Sequence, residues 1–174
     1  MKRFSLLAIG LALVLAACST APITIDLIPY LGDRVSGSET VSATGRLDLQ
    51  LPDANGYTVS GFEAPALRPN SVVLDYALTL EQNGGLSGDA ELTFYLAASD
   101  DDLWSAANQL GEPVDVDLNL DTQTLTGQLA LSPAQIDALM SGSLKVGATL
   151  TGNATGTANV SYTFDRLLLK VAFF

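Results

Sequence analysis

The side chains here that can carry chemistry are carboxylates, and few other reactive groups stand beside them. The chain has nineteen acidic residues, eight basic ones and no histidine. Without an imidazole, serine triads, cysteine–histidine dyads and the usual zinc sites are excluded in their common forms. Two carboxylates can still act as acid and nucleophile or base when they stand about 5 to 9.5 Å apart. Glu81, Asp89 and Glu91 lie around one predicted turn and form the best such group. Exposed charges around a hairpin are nevertheless far commoner than a catalytic pair. Ser143 and Lys145 are two residues apart on a predicted strand, which is not a serine–lysine motif. No catalytic residue is assigned, and the chain reads as a non-enzyme.

Oxygen-rich clusters are the next possibility, because they suit calcium. Asp100, Asp101 and Asp102 lie on a predicted loop, and Asp115, Asp117, Asn119 and Asp121 alternate along a predicted strand. The second cluster departs from a calcium loop: Leu120 takes the place of the turn glycine and Thr126 that of the closing glutamate. An extended strand does not wrap alternate side chains around one ion. These acids read as a solvated face that discourages edge pairing, and neither a metal nor a cofactor is assigned. Trp104 and Tyr57 are the aromatic candidates for ligand contact, whereas Phe94, Tyr162 and Phe164 follow strand spacing and read as core.

The only cysteine, Cys18, has different chemistry in prospect. It follows Leu15, Ala16 and Ala17, after the cationic Lys2 and Arg3 and an apolar run over residues 4–14. A spanning helix needs about 20 apolar residues, and this run is shorter and gives way at once to Ser19 and Thr20. The arrangement resembles the signal peptide and lipobox of bacterial lipoproteins. That resemblance implies cleavage between Ala17 and Cys18, a diacylglyceryl group on the Cys18 sulfur and an acylated new amino terminus. In that family an aspartate after the cysteine tends to hold the protein at the inner membrane. Ser19 stands there, so the resemblance implies the outer membrane of the cell envelope. Several acyl chains on one residue anchor stably where one would be marginal.

The expected organisation is a signal peptide over residues 1–17, a lipidated terminus and short tether over 18–22, and one domain over 23–174. With Lys2 and Arg3 removed, the formal charge moves from −11 to −13. Such a charge repels phosphate backbones and anionic headgroups, so no nucleic-acid partner is expected and membrane contact must come through the lipid on Cys18. With one cysteine, no disulfide can form within the chain.

Alternation with period two dominates the body and marks half-buried strands. Val41, Ala43, Leu47, Leu49 and Leu51 share one face, and Val72, Leu74, Tyr76, Leu78 and Leu80 another. After Gln82-Asn83-Gly84-Gly85 the pattern resumes with Ala90, Leu92, Phe94 and Leu96, which predicts a hairpin. A second hairpin is predicted between Val114, Val116, Leu118 and Leu120 on one arm and Leu125, Leu129 and Leu131 on the other. Ile23, Ile25 and Leu27 predict an opening strand, and Leu144, Val146, Ala148 and Leu150 a later one. Val160, Tyr162 and Phe164 have one parity and Leu167, Leu169, Val171 and Phe173 the other, so a bulge is predicted near Asp165 and Arg166. Ser132 as N-cap and Pro133 at the first helical position predict a short helix ending at Gly142. A second short helix is predicted over residues 100–110, capped by Ser99 and Asp102.

These features predict an all-β chain, an antiparallel β-sandwich or, second, a barrel, with one or two short helices. The functional expectation is an envelope lipoprotein whose sandwich is structural or binds a protein partner. The alternatives are a carrier or sensor with an apolar, barrel-like interior and, third, a carboxylate hydrolase.

Overall fold

A computed structural model describes residues 23–173. Leu15, Ala16, Ala17 and Cys18, expected to form a lipobox, lie outside the described residues. The elements are β1 (Ile23–Asp26), α1 (Ile28–Leu31), β2 (Ser36–Leu51), β3 (Tyr57–Ser60), β4 (Ser71–Gly84), β5 (Ser87–Ala98), β6 (Gln109–Asp117), β7 (Thr122–Ala130), α2 (Pro133–Met140) and β8 (Ser143–Ala172). All the strands join one antiparallel sheet organised on β8. One side of β8 carries β5 and then β4, and the other carries β3, β2 and β1. Outside β5 and β4 lie β6 and β7.

The register corrects both predicted hairpins. Gly84 stands opposite Ala158 and Ser87 opposite Thr155, so β4 and β5 run in the same direction along β8 and do not pair with each other. Likewise β6 pairs with β5 and β7 with β4. Asn-Gly favours a hairpin only where the two arms can take each other as partners. Here both arms find β8 instead, and the glycines bend a continuing strand. Leu118 is buried in the second bend, but Leu120, predicted on the same face, is 49% exposed.

The chain thus makes four long passes across the sheet, and every pass folds near its middle. Tyr76 on β4 and Phe94 on β5 would be about 60 Å apart on a straight strand at about 3.3 Å per residue. Their ring centroids are 4.7 Å apart. The sheet is therefore doubled over, with inward residues of its two halves meeting in one core that includes Leu78, Leu92, Leu150 and Leu169. This is an antiparallel sandwich nearly closed into a barrel. On the fold line Gly45 of β2 and Gly88 of β5 both stand opposite Ala154 of β8.

Gly156 allows β8 to bend there. Its φ is +116°, and a Cβ at this position would collide with the carbonyl oxygen of Gly85. The two bends flanking it are tied together by Gln82, whose Nε2 donates to the carbonyls of Leu86 at 3.0 Å and Leu118 at 2.6 Å.

The predicted bulge is present. Ala77 faces Arg166 and Leu78 faces Phe164, so Asp165 is the extra residue. Inward parity accordingly passes from Ala158 and Tyr162 to Leu167, Leu169 and Val171. Beside the bulge on the outer face, Arg166 and Lys170 flank the residue opposite Asp75 and hold its carboxylate, at 3.0 Å and 2.6 Å. The Lys170 hydrogen bond above all, with the charges of Arg166 and Lys170, keeps the Asp75 carboxyl below its ordinary value of 3.8 against the opposing effect of desolvation.

Helix α2 forms as predicted. Ser132 and Gln135 make a reciprocal capping box, and Gln135 Nε2 also donates to the carbonyls of Asn108 and Gln109. The predicted helix over 100–110 does not form, apart from a 3-10 turn at Ala106–Asn108 capped by Ser105. Its polar residues bond locally instead: Asp102 accepts from the Trp104 amide, and Asn108 donates to the Asp102 carbonyl. Such local bonds compete with helix formation, and Leu110 already belongs to β6. The four-residue α1, which follows the opening strand, is not evident from the sequence pattern.

Gly156→Ala should cost at least about 1–3 kcal/mol from backbone conformation alone, whereas Gly85→Ala, with open space around its Cβ, should be near neutral in urea unfolding. The depressed carboxyl of Asp75 stabilises the fold fully above its unfolded-state value, and this contribution disappears as the pH falls through the lower folded-state value. Stability measured downward from about pH 5 should therefore fall less steeply in Asp75→Asn than in the parent.

Candidate functional site

The carboxylates singled out in the sequence are not gathered around a turn. Glu81 lies on β4 opposite Thr122 and Ser161, on the far side of the bend from Asp89 and Glu91. Asp89 instead stands opposite Asp117, and Glu91 opposite Asp115, all four exposed on the outer face. Like charges directly opposite on a sheet repel. Asp117 is engaged locally: its Oδ1 accepts from the Asn119 amide at 2.9 Å and the Asn119 side chain at 2.6 Å, and these bonds lower its pKa. Asp121 contributes its carbonyl to the Gln82 amide. Among the described residues no group of three or more acidic, histidine or cysteine side chains is placed to hold a metal ion.

Ser143 and Lys145 do not form a pair. The Lys145 ammonium donates to the carbonyl of Asp101, while Ser143 exchanges bonds with Ser141. Trp104 stacks edge-on against Tyr95 at 5.4 Å and donates its indole N–H to the carbonyl of Ala54. Tyr57 donates to the carbonyl of Tyr30. Trp104 and Tyr57 are thus each occupied by their own partners.

The feature that the sequence pattern did not reveal is a cleft of about 400 Å³ between the two halves of the folded sheet. Because β2 bends at its middle, both its ends border this cleft, through Ser36, Ser38 and Glu39 at one end and Leu49 and Leu51 at the other. Leu80, Leu92, Leu150 and Val160 form its apolar floor. Arg34 and Asp53, which precede and follow β2, are 3.9 Å apart and about half exposed, so their attraction is weak.

Behind the cleft lies an apolar pocket of about 60 Å³ among residues such as Leu31, Leu74, Phe94 and Phe164. Arg34, Leu51, Pro52 and Tyr162 border both spaces. Tyr162, predicted as core, is 9% exposed and packs closely on Gly37, where a Cβ would lie 2.8 Å from its hydroxyl oxygen. Burial raises the pKa of this phenol, with Arg34 lowering and Asp53 raising it to a smaller extent. The cleft therefore offers hydrogen-bond donors and an apolar floor, a combination suited to binding. The spacing of Gly37 and Tyr162 carries no sequence signal for it, because their approach depends on β2 pairing with β8.

The strand that borders the cleft also has an open edge. Among the described residues β2 pairs with β8 alone, leaving a 16-residue strand bonded on one side.

No protein-family model and no curated protein matches this chain. Solved structures with some likeness include infectious bursal disease virus, Gx strain, at 14% identity and a TM-score of 0.28, covering 79% of this chain and 37% of that one. Derived particles of a mutant VP2 protein of the same virus give 14% identity and a TM-score of 0.29, covering 79% and 36%. The chain thus spans little more than a third of the chains it resembles, and likeness at this level carries no functional argument.

Proposed function

We propose that this protein is a lipid-anchored, non-catalytic module of the bacterial envelope, held at the outer membrane through Cys18, whose sandwich binds a protein partner along the β2 edge. The observation that carries the binding part is that β2, paired on one side only among the described residues, lies directly beside the interlayer cleft, whereas β6 and β7, which also pair on one side only, do not border it. An exposed edge presents unpaired backbone donors and acceptors that can accept an added strand. A segment added along β2 would gain main-chain bonds and could send alternate side chains toward the Leu80, Leu92 and Leu150 floor.

The anchoring part rests on Leu15, Ala16, Ala17 and Cys18 together with the basic and apolar residues before them. Arg166 and Lys170, partly exposed over the buried Asp75 carboxylate, support a sheet whose outer face meets water there. The apolar-carrier alternative is less favoured, because the wholly apolar pocket of about 60 Å³ is far below the roughly 300–1,000 Å³ of usual ligand sites, and the larger cleft is bordered by the charged Asp33, Arg34 and Glu39. The separation of Glu81 from Asp89 and Glu91 likewise weighs against a carboxylate hydrolase built on them.

Two measurements test this reading. Intact mass of the protein from native membranes should show a chain beginning at Cys18 and carrying diacylglyceryl and acyl groups; an unmodified Cys18 rejects the anchor. A photo-crosslinker at Glu39 or Gln50 on β2 should give a discrete adduct in intact envelopes that is lost when the crosslinker sits at Thr126 on β7. Equal adducts from the two strands, or none from either, reject the edge as the binding surface.

A further inference from the structure

We infer that the pole of the domain formed by β1, α1 and the segment after β3 lies against the lipid bilayer, with Ile23 and Leu67 entering its interfacial region. The inference rests on the anchoring reading above and adds to it the face that meets the membrane. At this pole lies a groove of about 800 Å³ bordered by Ile23, Ile25, Tyr30, Pro65, Leu67 and Phe173. Of the three large hydrophobic side chains exposed among the described residues, two are here, Ile23 at 56% and Leu67 at 69%. Grouped exposed apolar side chains mark a surface that is covered in use.

The length of chain before the groove selects the occupant. Ile23 belongs to the groove, and only Ser19, Thr20, Ala21 and Pro22 separate it from Cys18. Four residues reach about 15 Å even when fully extended, so acyl chains on Cys18 would hold this pole near the headgroups. The fold supplies no competing pole of the same kind: the third exposed residue, Leu120, lies in the bend between β6 and β7. That bend is a full β4 length away from the groove, roughly 40 Å at about 3.3 Å per residue.

Charge defines the lipid that suits this contact. The charged side chains bordering the groove are Asp26 and Glu63, both acidic, and Arg68, next to Leu67, is paired with Asp137 at 2.9 Å. Contact therefore depends on apolar side chains and favours zwitterionic over anionic headgroups, which like charge opposes.

The test uses the lipidated mature protein in phosphatidylcholine vesicles, with a nitroxide on Leu67→Cys and, separately, on Leu120→Cys. Lipid occupies Cys18, so the introduced thiol is the one that reacts. Bilayer-soluble oxygen should relax the label at 67 more than an aqueous nickel chelate does, and the order should invert at 120. A label at 67 that favours the chelate, in a sample whose mass shows lipid on Cys18, overturns this inference alone. A label at 67 already hidden from the chelate without vesicles also overturns it, because the protein's own acyl chain would then fill the groove. A mass without lipid on Cys18 overturns the anchoring reading and this inference with it.

Discussion

The structure depends on one constraint: β8, thirty residues long, must hydrogen-bond on both sides along almost its whole length and still fold in half. A straight strand of that length would leave its inward Leu, Ala and Tyr side chains without an opposing layer. Bending lets the half that includes Leu144 and Leu150 face the half that includes Leu167 and Leu169. Gly156 makes the bend possible on β8 by adopting a backbone conformation that other residues reach only with strain. Its neighbours in the sheet must bend with it, so Gly45 and Gly88 fall at the same level.

The cleft and the open edge follow from the same bend. Since β2 is paired along β8 and bends with it, its two ends approach each other across the gap between the layers. Arg34 and Asp53 are thereby brought within 3.9 Å although β2 separates them in sequence. Further toward the end of β8, the extra residue Asp165 reverses parity, returning Leu167 and Leu169 to the core while Arg166 and Lys170 point outward toward Asp75. An ion cluster and a continuous core thus share one strand without either entering the other's environment.

The two ends of the molecule differ for a related reason. At the fold line, glycines and Gln82 keep the backbone tightly paired, leaving little apolar surface apart from Leu120. At the opposite pole the passes end, and β1, α1 and the intervening segments cover the sheet incompletely. Apolar side chains remain exposed there, around the start of the described chain. The proposed membrane contact and the proposed partner edge consequently occupy different surfaces of the sandwich, and neither occludes the other.

Alternation of apolar and polar residues was sufficient for most of the strands and their inward faces, the bulge at Asp165 and the all-β class, because a strand with one wet face imposes a period of two; the four-residue β3 was too short to show it, and residues 144–150 and 160–173 read as two strands where β8 is one. Local chemistry was also sufficient for the capped helix after Ser132. Pairing was not legible: Gln82-Asn83-Gly84-Gly85 reads as a hairpin turn, yet its arms lie end to end along β8. A turn cue describes what the backbone can do locally, whereas the choice of partner depends on segments such as residues 143–172 that compete for the same hydrogen bonds. For that reason the cleft, the free β2 edge and the separation of Glu81 from Asp89 emerge from tertiary structure alone, while the resemblance of residues 15–18 to a lipobox, a linear pattern, is read from sequence alone.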